Sequence, residues 1–315
     1  MGHQINGKPL MTTVFGANGR VLHLIMKPYR FLPRCSRWTK AAWSDGLALA
    51  LCAGGFSAGA QVRPTHRPAI PNFDKRAAVP LKQAAAVDQQ RGVDRLAVQL
   101  PSVSVDFDRL LQTPHFIRAR GGFLTGQNGA GRGMPLTQAA PANDPHGVIK
   151  AFLNEHATLF GHDASVLQDA RVKRDYVDAH NGLRTVIWEQ QLDSIPVFRS
   201  TLRGHVTKRG ELTSISSLFV PDAAASADAG TPDRATLQAK LPISAIEAIV
   251  LGARNIDREL APAQVLEGKQ RPNDGGYQLF NTPEPAFARL VWLPLNRSSL
   301  RLAWEVMVSN QKSKE

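Results

Sequence analysis

The stretch from Pro145 to Asp222 constrains this chain more than any other, because one helical period is followed there by two hairpin signals in unbroken succession. Asp144-Pro145 offers an N-cap and then a proline at the first helical position, where its missing N–H costs nothing. Val148, Ile149, Phe152, Leu153, Leu159 and Phe160 recur at helical spacing, and Gly161 supplies the stop. Residues 171–178 and 183–192 then read as strands around His180-Asn181-Gly182. Asn-Gly between two such runs predicts a type I′ turn, with positive φ at both central residues. Residues 196–207 and 211–220 repeat the pattern around Lys208-Arg209-Gly210, with Pro196 opening a strand, the position where it does least harm. Leu202, Val206, Leu212, Ile215 and Leu218 line up as one buried surface. The expectation for residues 144–222 is a helix packed on an antiparallel sheet, an α+β unit.

A run of Ala, Ser and Asp from Asp222 to Gly230 reads as a low-order linker to a second, smaller helix-plus-hairpin unit over 231–310. Thr231-Pro232 can cap a short helix, and Ser244-Ala-Ile-Glu247 has capping-box spacing ahead of Ile246, Ile249, Val250 and Leu251. Residues 287–293 and 300–308 then form a hairpin pattern around Asn296-Arg297-Ser298-Ser299. Upstream, residues 61–104 are rich in Ala, Gln, Pro and charge without a period and read as a disordered linker. Residues 105–143 read as an arm or short-strand segment anchored by Phe107 and Phe123.

The net charge of +12 raises nucleic acid as a partner, so its location matters. Residues 1–60 hold seven Lys or Arg and one acid, Asp45, and the other 255 residues hold 31 basic and 25 acidic groups, without a basic stripe. No nucleic acid is expected as a partner. Arg30, Arg34, Arg37 and Lys40 precede the apolar run Gly46–Phe56, and Ser57-Ala-Gly-Ala60 supplies small residues for cleavage between Ala60 and Gln61. This reads as a signal peptide, with Met26 giving conventional proportions, and it predicts a secreted or periplasmic protein. No apolar run approaches the roughly 20 residues of a membrane span, so no stable membrane insertion is expected after cleavage. Both cysteines, Cys35 and Cys52, fall in this leader, which removes disulfides from the expected mature fold.

Catalytic motifs fail on context. Gly55-Phe-Ser57-Ala-Gly59 has the GxSxG pattern but sits at the end of the leader, without a strand–elbow–helix setting. Gly126-Gln-Asn-Gly129-Ala-Gly131-Arg132-Gly133 lacks the Lys and hydroxyl of a phosphate loop and reads as a flexible loop. His156 and His162 are six apart with Gly161 between, not the i, i+4 spacing of a zinc helix, so surface or capping roles are expected. Asp106, Asp108, Asp175, Asp178 and Glu189 show no acid/base pairing in sequence. Asn296-Arg297-Ser298 fits a glycosylation sequon. No catalytic, cofactor-binding or metal residue is assigned.

Ala151-Phe-Leu-x-x-His156-x-x-Leu159-Phe-Gly161, Asp175-Tyr176, His180-x-Gly182, Trp188-x-Gln190-Gln191, Ile195-Pro-Val-Phe198 and Gly210-x-Leu-x-Ser-Ile-Ser216 occur in fixed order. Together they resemble the propeptide domain of fungalysin- and thermolysin-type zinc metalloproteases. Val105-Asp-Phe-Asp108, Gly122-Phe-Leu-Thr125, Pro242–Arg254, Arg289–Pro294 and Leu300–Val306 are similar to its fungalysin-type flanks and to a PepSY-like second half, so the resemblance spans roughly 105–308. It implies a folding assistant and inhibitor whose partner is a metalloprotease catalytic domain, with zinc belonging to that domain. None of the nine histidines is followed by Glu, so the HExxH motif of the protease does not occur in these 315 residues. The expectation is therefore a non-catalytic pro-region that acts in trans or survives as a truncated remnant; a standalone cell-envelope protein- or peptide-binding module is the alternative. Phe107, Phe123, Trp188 and Phe198 are the candidate interface residues.

Overall fold

The computed structural model describes residues 11–16 and 21–25 as backbone, and residues 76, 87–131, 144–256, 258–268 and 275–309. The leader's apolar run and the Ala60–Gln61 cleavage site lie outside the described residues. In chain order the first strands are β1 (Met11–Gly16), β2 (Val21–Ile25), β3 (Val103–Phe107) and β4 (Pro114–Ala119). Then come β5 (Arg171–Val177), β6 (Arg184–Leu192), β7 (Ile195–Val206) and β8 (Leu212–Ser217). The last are β9 (Leu266–Glu267), β10 (Gln278–Asn281), β11 (Ala286–Asn296) and β12 (Ser299–Val308). The helices are α1 (Val87–Gln99), α2 (Gly147–Glu155), α3 (Ala157–Phe160), α4 (Ala223–Gly230), α5 (Arg234–Ala239) and α6 (Ala245–Arg254). The class is α+β, with one mixed sheet in the order β2-β1-β12-β11-β7-β8-β4-β3 and with β5–β6 branching from β7.

The first unit follows from alternation along its strands. Val186, Trp188, Leu202 and Ile215 point to one face, where Ile149, Phe152, Leu153, Leu159 and Phe160 of α2 and α3 cover them. The expected single helix breaks at His156, whose φ of −109° and ψ of 28° leave the helical region. Gly161 ends α3 as expected, in the left-handed region at φ 80°. Asp144 folds back on His146 N–H at 2.9 Å and accepts from Lys150 Nζ at 2.7 Å, so the helix starts at Gly147 and not at Pro145.

Two turns exchange the roles expected of them. In the turn between β5 and β6, only Gly182 takes positive φ, at 72°. The two-residue turn with both φ values positive is Asp193-Ser194, at 53° and 61°, between β6 and β7. That pattern is the I′ geometry that matches strand twist.

Two further expectations are corrected, and one open alternative is resolved. Residues 87–99 are not disordered linker: they form α1, whose Leu96 is wholly buried in the first core. Gly92, which lowers helix propensity, is where α1 meets α3; a Cβ there would lie 2.9 Å from Leu159 Cβ. Of the arm or short strands expected over 105–143, the strands form: β3 pairs with β4, and β4 pairs with β8 and extends the sheet. Residues 223–230 are not a low-order linker. Asp222 caps them by accepting from Ala225 N–H at 2.9 Å, and alanines fill the resulting helix α4. Its last residue, Gly230, abuts β12 so closely that a Cβ would fall 2.1 Å from Leu300 O.

In the second unit the Ser244–Glu247 capping box forms in both directions and opens α6. Ile249 and Ala253 of α6 pack on Ala286, Ala288 and Val306. The opposite face of the β11–β12 hairpin buries Val291, Leu293 and Ala303 with Phe198 of β7. The two units meet within the sheet itself: β7 and β11 run parallel with Val197 opposite Trp292, whose Nε1 donates to Leu192 O at 3.1 Å.

Candidate functional site

Of the four aromatic residues expected at an interface, Trp188 (2% exposed) and Phe198 (3%) are core. Trp188 meets the His146 ring edge-on at 5.1 Å, and Phe198 packs in the seam between the units. Phe107 is half-buried against the first core, and Phe123 is half-buried with its N–H bonded to Gly129 O at 3.0 Å. Sequence reasoning misplaced Trp188 and Phe198 because strand alternation does not say which sheet face is covered.

The densest group of ionisable side chains lies where the two units meet. Glu189 on β6 is nearly buried and accepts from Arg171 at 2.5 Å and from Lys173 at 3.2 Å, both on β5. Arg289 on β11 lies 3.6 Å from the same carboxylate and donates its Nε to Glu305 on β12 at 2.6 Å. Its guanidinium also donates to Gly275 O at 3.0 Å and stacks over the Tyr277 ring at 4.3 Å. Burial alone would raise the Glu189 pKa; Arg171, Lys173 and Arg289 outweigh it and hold the carboxyl below the ordinary glutamate range. Burial pulls the Arg289 pKa down, while Glu305, Tyr277 and Glu189 more than compensate and keep the guanidinium charged. Burial first, then the Glu305 charge, pushes the Tyr277 phenol well above its ordinary value, so it stays protonated. A carboxylate held ionised and hydrogen-bonded as Glu189 is serves to tie β5, β6 and β11 together.

Of the surface or capping roles expected for the histidines, His156 does stand at the cap position between α2 and α3, without a side-chain cap bond, but neither His156 nor His162 is on the surface. His156 and His162 are both buried, packed against Phe152 and between Phe160 and Phe219 respectively. Burial lowers the pKa of each, and His162 Nε2 has no hydrogen-bond partner. Among the described residues no group of three or more His, Cys, Asp or Glu could hold a metal ion.

The remaining candidate motifs resolve into local structure. Through Gly131 the glycine-rich loop folds onto itself, with Gly131 N–H bonded to Thr125 O and Leu124 N–H bonded to Leu212 O of β8. It braces β8, contrary to the flexible loop expected, and Arg132 and Gly133 lie outside the described residues. Asp108 caps Leu110 and Leu111 N–H groups, Asp178 caps His180 N–H, and Asp175 pairs with His146 and Arg184.

What the first unit leaves open is a surface. On the face of the sheet away from α2, Arg174, Ile187, Arg203 and Ser216 are register partners across β5 to β8. Tyr176, Thr185, His205, Ser214 and Arg118 form the adjacent row through β4. Among the described residues, β5 has no strand neighbour beyond β6.

Residues 168–219, which span β5 to β8, match the family model described as Fungalysin/Thermolysin Propeptide Motif. The match covers the paired hairpins and leaves α1, α2 and the 231–308 unit outside it. No curated protein matches the chain. The β5–β8 sheet of this protein is therefore similar to the propeptide motif of fungalysin- and thermolysin-type proteases.

Proposed function

We propose that the chain is a non-catalytic pro-region of a fungalysin-like zinc metalloprotease, exported by its N-terminal leader, that binds a protease catalytic domain in trans. The observation that carries the reading is the propeptide motif at 168–219, folded as two hairpins with one face left to solvent. The role is docking: ionisable groups at the centre of the fold are locked in ion pairs, and the free chemistry lies on the sheet surface. A folded pro-region that binds native protease and not its unfolded chain stabilises the native form by mass action, and one that covers the cleft inhibits it. The 231–308 unit, in this reading PepSY-like, fixes the sheet through the β7–β11 seam.

The test is to mix the purified 315-residue chain with a fungalysin-type catalytic domain and to follow both binding and residual proteolysis. Stoichiometric binding with lost proteolysis is expected. A folded chain that neither binds the domain nor aids its refolding sinks the reading. A standalone peptide-binding module is then preferred, on the strength of the unpaired edge of β5.

A further inference from the structure

We propose that the free edge of β5, together with the arginine rows on the outer sheet face, is a docking site for an acidic peptide segment in extended conformation. Two independent features meet there. The first is the edge: Val172 through Val177 are all exposed, and Val172 (48% exposed), Tyr176 (51%) and Val177 (52%) are among the few large hydrophobic side chains open to solvent. An exposed strand edge offers unpaired backbone N–H and C=O groups, which only another extended chain can satisfy in sequence.

The second feature is charge. Arg174 and Arg203 flank Ile187 in one row, and Arg118 ends the next, with its guanidinium 5.9 Å from the Phe116 ring. Among the described residues, none of these three arginines has a carboxylate within ion-pair distance. The acids nearby are committed or remote. Glu189 is held by Arg171, Lys173 and Arg289, Asp175 pairs on the opposite face with His146 and Arg184, and Asp106 on β3, diagonal to Arg118 on the neighbouring β4 but outside ion-pair distance of it, lies at the far side of the sheet from β5.

Cations and a bulge on an edge strand also serve to prevent self-association. That protection selects the occupant. A second copy would set its Lys173 and Arg174 against the same residues here, whereas an acidic strand meets no repulsion. Its backbone pairs with β5, its carboxylates on the outer face lie beside Arg174 and Tyr176 with Arg203, two strands further in, adding to the positive field, and its side chains on the other face reach Val172. The inference rests on β5 to β8 and β4 alone, so it holds or fails independently of whether the partner is a protease.

The experiment uses the 315-residue chain and fluorescently labelled peptides at low and high salt. The probes are a short peptide alternating Glu with Val, its Lys-for-Glu counterpart, and the Glu peptide N-methylated at alternate residues. Phosphatidylserine vesicles are a fourth probe. The Glu peptide is expected to bind, to weaken as salt rises, and to lose about tenfold or more in affinity with R174E/R203E. Alternate N-methylation, which removes strand hydrogen bonds and keeps the charge, should abolish binding. Equal binding of the N-methylated peptide overturns the edge geometry, and equal binding of the Lys peptide overturns the charge selection. Binding of vesicles with no binding of the Glu peptide overturns the proposal as a whole. The substituted arginines are exposed, and an unchanged melting temperature of the variant confirms that its fold is intact.

Discussion

The β5–β8 sheet buries one face and leaves the other to solvent, whereas the β11–β12 hairpin is buried on both. The contrast is written in residue pattern. β6 and β7 alternate, with Val186, Trp188 and Leu202 inward and Ile187, Arg203 and His205 outward. β11 instead carries the near-continuous run Leu290-Val-Trp-Leu-Pro294, which helices cover on one side and Phe198 meets on the other. Continuous apolar runs belong to strands covered twice. A two-faced strand anchors, and a one-faced sheet has a surface free for a partner. In this molecule the propeptide motif is the unit with the open surface, and the second unit holds it in place.

The strongest challenge to this division compares the two tryptophans. Trp188→Ala and Trp292→Ala should each cost about 3–5 kcal/mol, as large core truncations do. If the units are coupled through the seam, urea unfolding followed by tryptophan fluorescence and by circular dichroism stays a single transition in both variants. Separate transitions would show that the shared sheet does not couple them. Next in size, Arg289→Met leaves Glu305 and Glu189 partly uncompensated and should cost about 2–4 kcal/mol. That is below the full loss for a broken buried pair, because Arg171 and Lys173 still neutralise Glu189. Limited proteolysis should then cut between the units sooner than in the parent chain.

Gly230→Ala should cost about 1–3 kcal/mol by forcing α4 away from β12, with no effect on binding at β5. A loss confined to β5 binding would contradict the anchoring role of the second unit. The smallest effect concerns pH. His156, His162 and His205 have folded pKa values below the ordinary 6.5, so the unfolded chain takes up protons first as acidity rises. Stability should fall as pH drops below 6.5 and through the lower folded values. His162→Phe should flatten part of that slope, seen in melting temperatures between pH 7 and pH 5.

The hairpins, the Gly161 helix stop and the Ser244–Glu247 capping box were legible because their signals are local, as were Gly182 and Gly210 at turns, whereas the caps expected at Asp144 and Thr231 fall at His146 and Asp233. Helices α1 and α4 were not. Gly92 lowers helix propensity and the Ala-Ser-Asp run carries no large apolar residue to mark a buried face, until the surfaces of Leu159 and Leu300 O are present to make small residues advantageous. Burial of His156 and His162 was equally hidden, since a polar residue at the end of an apolar helix ordinarily faces water. The Glu189–Arg289 contact joins residues a hundred positions apart, and one sequence carries no local sign of such a pairing. The candidate surface was legible in part: strand alternation implies a second, uncovered sheet face, and its arginine rows needed the register.

The parallel seam at Val197 and Trp292 also sets an order of events during synthesis. The ribosome delivers β7 long before β11, so a growing chain holds a finished β5–β8 sheet whose Phe198 lacks Val291, Leu293 and Ala303 and whose Val197, though packed with Leu111 and Val220, lacks Trp292. Long-range pairing closes late. Until the last hairpin emerges, that raw edge is the place where a nascent or interrupted chain sticks to its neighbours, and where a chaperone has most to shield.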